Sequence, residues 1–204
     1  TFTIAGTDRQ TTLAEVARAA AERDDLPDDL KGPLEETGHY DSPDQETFPN
    51  GVHVCEIEID RDTAELQIAR YVVVDDFGMV LNPMLVMGQI HGGVAQGVGQ
   101  ALLEQTVYEA ESGQLVTATY QDYTMPRADD LPDIEIEFIN VPCKTNPFGI
   151  KGAGEAGAIG APPAVINALV DALEPYGVLH VDMPATNQRI WQVLQENAPK
   201  AAAE

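Results

Sequence analysis

The amino-acid sequence predicts an α+β fold in which mixed sheets pack against helices. Segments that alternate apolar with acidic residues are typical of strands, and segments with apolar residues three or four positions apart are typical of helices. The two kinds of segment follow each other without a regular strand–helix repeat, which disfavours a doubly wound parallel sheet. The 204 residues, 44% of them hydrophobic, are enough for one domain with a core or for two small subdomains.

The first fifty residues predict one strand, one helix and a connector. A short strand is expected over residues 1–5, where apolar residues alternate with threonines. Thr12 and Glu15 have the spacing of a capping box, which begins a helix that continues with apolar residues at helical spacing. The stretch 24–50 is acidic and contains four prolines, so an exposed connector is expected there.

A β-hairpin is predicted over residues 52–75. Its first strand alternates apolar residues with acids, and its turn is expected at residues 61–63. The return strand ends in the run 71–74, which is apolar on both faces and should therefore be buried.

The rest of the chain predicts helices and strands in an irregular order. The expected elements are a Gly-rich helix over 84–105, strands over 115–123, 134–138 and 177–182, and helices that begin at Pro162 or Pro163 and at Thr186. Residues 1–198 are expected to be the folded part, and residues 199–204 a frayed tail.

Charge and cysteine content exclude several classes of function. The net charge of −23 disfavours binding to nucleic acid or anionic lipid, because phosphate groups would be repelled. No secretory signal or membrane span is predicted, since the most apolar stretch, 84–103, is interrupted by glycine and polar residues. Cys55 and Cys143 are too few for a disulfide framework, and a cytoplasmic location is expected. The four histidines have no ligand spacing, so no metal site is predicted from them.

The first segment that can carry chemistry is Gly88–Gln100. It contains five glycines in thirteen positions, and each costs a helix about 1 kcal/mol relative to alanine. Gln89 and Gln96 are two helical turns apart and share one face, which suits a polar heterocycle or a phosphate. His91 is the histidine best placed for a ligand. Tight helix packing with exposed glutamines explains the pattern equally well, so both readings stay open.

The second segment is the Gly-rich loop Asn146–Gly157. Glu155 lies among its glycines, near Lys151 and ahead of a helix, where a carboxylate can be held against a ligand as a general base. A solvated surface glutamate is the competing reading. The loop also matches the dinucleotide fingerprint GxGxxG from Gly152, but no buried strand precedes it, so a nicotinamide site is disfavoured.

Four stretches together carry a resemblance to a known family. They are Val73–Gly78 with Asn82-Pro83, the segment GQIHGGVAQGVGQALLE from Gly88, the motif DYTMP from Asp122, and Thr145–Gly160 with KGAGEAG. In order and spacing they resemble the molybdenum-binding large subunit of the xanthine oxidase family, and most of all the large chain of aerobic carbon monoxide dehydrogenases. The resemblance extends over nearly all of residues 1–198 and implies the α+β fold of the C-terminal molybdopterin-binding region.

The resemblance implies a molybdopterin cofactor with molybdenum, in bacterial members usually as the cytosine dinucleotide. It implies oxidation of a small substrate with oxygen derived from water. Glu155 matches the family's glutamate beside the metal, and Gln89 matches the glutamine that contacts the pterin. The full set of cofactor-binding residues expected from this match is Gln89, His91, Gly92, Gly93, Gln96, Gly97, Lys151, Gly152 and Gly154.

The resemblance also implies partner subunits, and it leaves the substrate and the catalytic role open. The expected partners are the N-terminal part of the same subunit, an iron–sulfur small subunit, an FAD medium subunit and a second copy of the catalytic unit. This chain matches only the C-terminal part of such a subunit, and neither of its cysteines lies in the copper-binding motif of carbon monoxide enzymes. The substrate therefore stays open among carbon monoxide, aldehydes, purines and other heterocycles. A non-catalytic assembly module is the second reading, and the isolated chain is expected to be inactive.

Overall fold

The computed structural model describes residues 1–41 and 46–197, and the chain divides into two compact units, Thr1–Ser42 and Pro43–Glu204. Both helices and strands are present, and strands pair in both directions, so the predicted α+β class is confirmed. Part of the predicted connector, residues 42–45, and the predicted tail, 199–204, lie outside the described residues.

The first unit is a small hairpin followed by a helix. Strands β1 (Phe2–Thr3) and β2 (Gln10–Thr11) pair antiparallel, and helix α1 spans Leu13–Glu22. The predicted capping box is confirmed: the N–H of Glu15 donates to Thr12 Oγ1 at 3.2 Å, and the N–H of Thr12 donates to the Glu15 carboxylate at 2.8 Å. The backbone hydrogen bond from Thr12 holds the pKa of Glu15 below its usual value.

The second unit contains a three-stranded sheet with the order β3-β4-β5. The strands are β3 (Asn50–Ile59), β4 (Leu66–Asp76) and β5 (Ile134–Phe138). The predicted hairpin is confirmed, since β3 and β4 are antiparallel with His53 opposite Val73. β5 joins β4 in parallel, so β4 is the central strand, and over residues 71–75 its side chains alternate between buried and half-buried. This central position explains why its end is apolar on both faces.

Three α-helices in the described part of the second unit contribute buried residues to its core. α2 spans Pro83–Val98 and continues as a π-helical turn to Leu103, α3 spans Ala156–Leu173, and α4 spans Asn187–Asn197. α3 packs on both α2 and β3. It is long and apolar enough to cross a bilayer, but Val165, Leu169 and Leu173 lie in the protein core. α3 is thus a core helix.

Three predicted elements are wrong. α3 begins at Ala156 rather than at Pro162 or Pro163, because the small residues ahead of the prolines form a helical turn packed against α2. Residues 115–123 are not a strand; there the carbonyl of Thr119 accepts local N–H groups in a turn, which competes with strand pairing. Residues 177–182 are not a strand either, although Val178 and Val181 are buried in the core.

Candidate active site

A cleft of about 280 Å³ lies where the first turn of α3 meets the start of β3 and the end of β4. The polar side chains that line it are those of Asn50, His53, Asp75 and Glu155, and four glycines form much of the remaining wall. The cleft therefore brings together residues from the hairpin and from the Gly-rich loop, which are about one hundred positions apart in the chain.

Glu155 is held at the beginning of α3, with its side chain exposed to the cleft. Its backbone carbonyl accepts a hydrogen bond from the N–H of Ile159 at 2.9 Å, and its carboxylate makes no capping bond to the helix. A Cβ built on Gly152 or Gly154 would meet no atom within 4 Å, so the backbone ahead of Glu155 is open to close approach by a ligand. This carboxylate can accept a proton from a group bound in the cleft.

The loop ahead of Glu155 is fastened to the end of β4. The side chain of Asn146 clamps Ile150 by accepting from its N–H at 3.1 Å and donating to its carbonyl at 2.9 Å. Gly78 has a φ of +66°, and a Cβ on it would lie 2.1 Å from the carbonyl oxygen of Gly149. Glycine is therefore required at position 78 for the loop to approach the strand.

Lys151 forms a buried ion pair with Asp76. The Nζ–Oδ2 distance is 2.5 Å, and the two side chains are 9% and 8% exposed. Asp76 Oδ1 also accepts hydrogen bonds from the N–H groups of Gly78 at 2.9 Å and Val141 at 3.1 Å. Burial favours the neutral carboxyl, but these hydrogen bonds outweigh it and hold the pKa of Asp76 below its usual value. Lys151 thus anchors the loop, and its predicted contact with a cofactor stays a prediction.

A second polar group, made of Tyr71, His53 and Asp75, lies at the base of the cleft. The hydroxyl of Tyr71 and Nδ1 of His53 are 2.9 Å apart, and Nε2 of His53 is 3.7 Å from Asp75 Oδ1. The side chains of His53 and Asp75 are only 6% and 3% exposed. Asp75 Oδ2 is buried and has no hydrogen-bond partner among the described residues. Burial raises the pKa of Tyr71, so its hydroxyl keeps its proton.

The exposed face of α2 carries four of the predicted cofactor-binding residues. Gln89, His91, Gly92 and Gln96 are all exposed, and a Cβ on Gly92 would meet no atom within 4 Å. The imidazole Nδ1 of His91 lies 2.7 Å from the carbonyl oxygen of Met87, one turn earlier in the helix. All four residues are thus accessible on α2, and Gln89 and Gln96 share one face of the helix, as their spacing predicts.

Gly93 and Gly97 lie on the side of α2 that contacts α3. A Cβ on Gly93 would lie 2.9 Å from the backbone nitrogen of Ala158, and one on Gly97 would lie 2.7 Å from the Cβ of Ala161. The helices could not approach this closely with larger residues, so helix packing accounts for both glycines. Their predicted contact with a cofactor stays a prediction.

The residue pattern did not predict the roles of Asn50, His53 and Asp75 in the cleft. The sequence pattern favours His91 as the ligand-facing histidine and does not single out His53. One signal was available: Asp75 directly follows the apolar run 71–74, and an acid at the end of a buried strand needs a partner.

The comparison with known families decides the classification. The family model described as "Molybdopterin cofactor-binding domain" matches residues 1–132, more than half of the chain. This chain belongs to that family. The first three of the four motifs lie within the matched residues, whereas Glu155 and its loop lie beyond them. The role of Glu155 stays a prediction.

Relatives within the molybdopterin cofactor-binding family span almost the whole chain. The carbon monoxide dehydrogenase large chain of Hydrogenophaga pseudoflava is 36% identical over 96% of this chain and 24% of its own length. The nicotine 6-hydroxylase large subunit of Paenarthrobacter nicotinovorans is 37% identical over 92% of this chain and 23% of its own length. This chain therefore corresponds to about a quarter of the length of these two large subunits, and the resemblance that the motifs indicate is confirmed.

The fold agrees with that of solved family members. The reconstituted carbon monoxide dehydrogenase from Oligotropha carboxidovorans superposes with a TM-score of 0.80 at 32% identity, over 92% of this chain and 23% of the other. The α+β arrangement of β3–β5 with α2 and α3 is thus that of the molybdopterin cofactor-binding domain in a known oxidoreductase.

Proposed function

We propose that the full-length protein containing this chain is the catalytic large subunit of a molybdenum hydroxylase, with Glu155 as its active-site base. The observation that carries the proposal is the exposed carboxylate of Glu155 in a glycine-walled cleft at the start of α3. In a family that binds molybdopterin, a carboxylate in this position can accept a proton from the reacting group. The reaction class is oxidation of a small substrate with oxygen derived from water.

The residues present fit a large polar cofactor. Gly92, Gly152 and Gly154 have open space where a Cβ would stand, so a ligand can lie directly against the backbone. The amides of Gln89 and Gln96 can both donate and accept hydrogen bonds, which matches the polar rings and phosphates of a pterin dinucleotide. When bound, the molybdenum–pterin group supplies two-electron redox chemistry. We assign its binding to the exposed face of α2 and to the 152–154 backbone, with the cytosine dinucleotide as the expected form.

The residues of this chain have separate tasks in the proposed site. Glu155 receives a proton at its carboxylate, and the N–H of Ile159, bonded to its carbonyl, holds its backbone in place. The Lys151–Asp76 pair fixes the loop that leads to Glu155, so the carboxylate is presented from a rigid base. The glycines ahead of it leave the approach to the carboxylate unobstructed.

We propose a complex with other subunits from the names of the two relatives. Both relatives are named as a large chain or large subunit, which supports a complex with smaller partners. We expect an iron–sulfur subunit, an FAD subunit, a second catalytic unit and a cytoplasmic location. The names of the two relatives refer to different substrates, carbon monoxide and nicotine. We therefore propose the reaction class and assign no substrate.

The substitution Glu155→Gln in the full-length enzyme tests the proposal. Glutamine keeps the shape of the side chain but cannot accept a proton at neutral pH, so the turnover rate should fall about 100-fold or more. The molybdenum content per subunit, measured by mass spectrometry, should stay near that of the wild type, because the change lies at the rim of the cofactor surface.

The matched control is Glu174→Gln, which changes an exposed glutamate just after α3. It should leave both turnover and molybdenum content unchanged. Wild-type turnover in Glu155→Gln would remove Glu155 from the mechanism. If no molybdenum is found in the wild-type protein from its own host, the non-catalytic assembly module becomes the better reading.

A further inference from the structure

We propose that Asp75, supported by His53, is the hydrogen-bond acceptor for a planar ligand that presents an N–H group to the cleft. The inference rests on the proposed function, because it assigns the kind of ligand group that the same cleft receives. Three features carry it: a buried carboxylate oxygen without a partner, an imidazole beside the carboxylate, and glycines that leave both side chains packed against backbone.

The first feature is the unpartnered oxygen of Asp75. The side chain is 3% exposed and lines the cleft, and its Oδ2 has no hydrogen-bond partner among the described residues. A buried carboxylate oxygen without a donor is costly, so native proteins rarely leave one unsatisfied. A donor from a ligand in the cleft would satisfy it.

The second feature is the orientation of His53. Tyr71 is fully buried and its hydroxyl lies 2.9 Å from Nδ1 of His53. If the hydroxyl donates to Nδ1, the imidazole carries its proton on Nε2, which faces Asp75 Oδ1 at 3.7 Å. The other tautomer would direct a lone pair at the carboxylate and is therefore disfavoured. His53 thus lies beside Oδ1 at a distance too long for a hydrogen bond, and Oδ2 is the carboxylate oxygen available as the acceptor for a ligand.

The third feature is the lack of room for either side chain to move. A Cβ on Gly51 would lie 1.7 Å from Asp75 Oδ1, and a Cβ on Gly160 would lie 2.6 Å from Cε1 of His53. The carboxylate and the imidazole are therefore packed against bare backbone on two sides. Such packing holds an acceptor in one geometry, as a binding site requires.

The charge of the cleft defines the ligand group. Asp75 and Glu155 both line it, and the described residues of its wall include neither lysine nor arginine. An anionic group would be repelled, whereas a neutral or cationic N–H donor would be attracted. The glycine walls favour a flat ring. Two sources have this chemistry: the substrate, if it is a nitrogen heterocycle, and the aminopyrimidinone edge of the pterin itself.

The substitution Asp75→Asn in the full-length enzyme tests the inference through binding and cofactor content, neither of which requires turnover. The probes are isocytosine, which has adjacent N–H donors, and 1,3-dimethyluracil, which has a similar ring without them. Binding is measured by calorimetry on cofactor-loaded enzyme without an electron acceptor, and pterin content is measured after release. Asp171→Asn, an exposed residue of α3, is the control.

Two results support the inference and identify the source of the donor. If the substrate supplies it, Asp75→Asn keeps its pterin and binds isocytosine about 10- to 100-fold more weakly, with 1,3-dimethyluracil unaffected. If the pterin supplies it, Asp75→Asn loses most of its pterin while the cofactor-free variant melts at the wild-type temperature. In both cases Asp171→Asn behaves as the wild type.

Wild-type pterin content together with wild-type isocytosine affinity in Asp75→Asn would overturn the inference. So would a loss of pterin that merely accompanies a lowered melting temperature of the cofactor-free variant. If the variant does not fold, binding of the two probes to the wild-type enzyme tests the inference instead. Equal affinity for isocytosine and 1,3-dimethyluracil, both in the loaded and in the cofactor-stripped enzyme, would reject a site for an N–H donor. Failure of the proposed function would appear separately, as undiminished turnover in Glu155→Gln.

Discussion

The Lys151–Asp76 pair shows how the environment of one residue assigns its role. Lysine beside a glycine-rich loop suits a phosphate contact by composition, yet its ammonium lies 2.5 Å from a buried carboxylate. Asp76 is 75 positions away in the chain, so no local pattern of residues could indicate this partner. The same limit applies to Asp75 and His53, because the cleft exists only after the hairpin and the loop come together.

Removal of the ammonium in Lys151→Met should lower the free energy of unfolding by about 3 kcal/mol at pH 7, since it leaves a buried carboxylate with fewer donors. Because the pKa of Asp76 is lowered in the folded chain, its contribution is present above its unfolded value of 3.8 and is lost as the pH falls through the lowered pKa. The difference between variant and wild type should therefore shrink below about pH 4. Urea unfolding across this pH range measures it.

The exposed pair Arg70–Glu135 provides the control for that measurement. Its side chains are 58% and 54% exposed, so Arg70→Met should cost much less than Lys151→Met at neutral pH. Equal losses from the two variants would mean that the Lys151–Asp76 pair has no special structural role.

At the scale of elements, the glycines of α2 lie in two different environments. The sequence pattern leaves helix packing and ligand contact open, and the structure shows that some of these glycines pack against α3 while others face open space. Gly93 faces α3, with a Cβ position 2.9 Å from backbone atoms, whereas Gly92 faces open space. Gly93 and Gly97 are four residues apart, but so are Gly88 and Gly92, which face open space, so the spacing alone does not indicate which pair packs against α3.

The paired substitutions Gly92→Val and Gly93→Val test this division. Gly93→Val should separate α2 from α3 and lower the melting temperature of the chain, because the neighbouring backbone of α3 cannot move aside. Gly92→Val should leave the melting temperature nearly unchanged but lower the molybdenum content of the full-length enzyme by steric exclusion. Normal molybdenum content in Gly92→Val would mean that the exposed face of α2 does not hold the cofactor.

At the scale of the whole molecule, the fold was more predictable than the site. The hairpin, the Gly-rich helix and the capped helices follow from local patterns, and all of them are present. The start of α3 was missed because two glycines lower the helix propensity of residues 156–161 and two prolines follow them, and the packing of this turn against α2 is not visible in the local sequence. The geometry of the site depends on contacts between segments that are distant in the chain. The periodicity of apolar residues predicts local helices and strands, but it does not indicate which distant segments come together.

In isolation, the 204-residue chain should fold but should have no catalytic activity. The core of the sheet, α2 and α3 contains fully buried side chains such as Tyr71, Ile90 and Leu169, so cooperative unfolding is expected. The chain corresponds to about a quarter of the length of its relatives, so a cofactor would lack most of its contacts. Purified from its own host, the isolated chain should therefore contain no molybdenum.

The isolated chain should also self-associate, because large apolar side chains are exposed near the start of α2. Met84 is 73% exposed and Leu85 is 62% exposed, on the helix that carries the proposed cofactor face. Sedimentation velocity should show mass that rises with concentration, and the double change Met84→Lys with Leu85→Lys should reduce it. Leu179→Lys, at an exposed position after α3, is the control and should reduce it less. A monomer at every concentration, or stoichiometric pterin in the isolated chain, would contradict an incomplete cofactor surface on this part of the subunit.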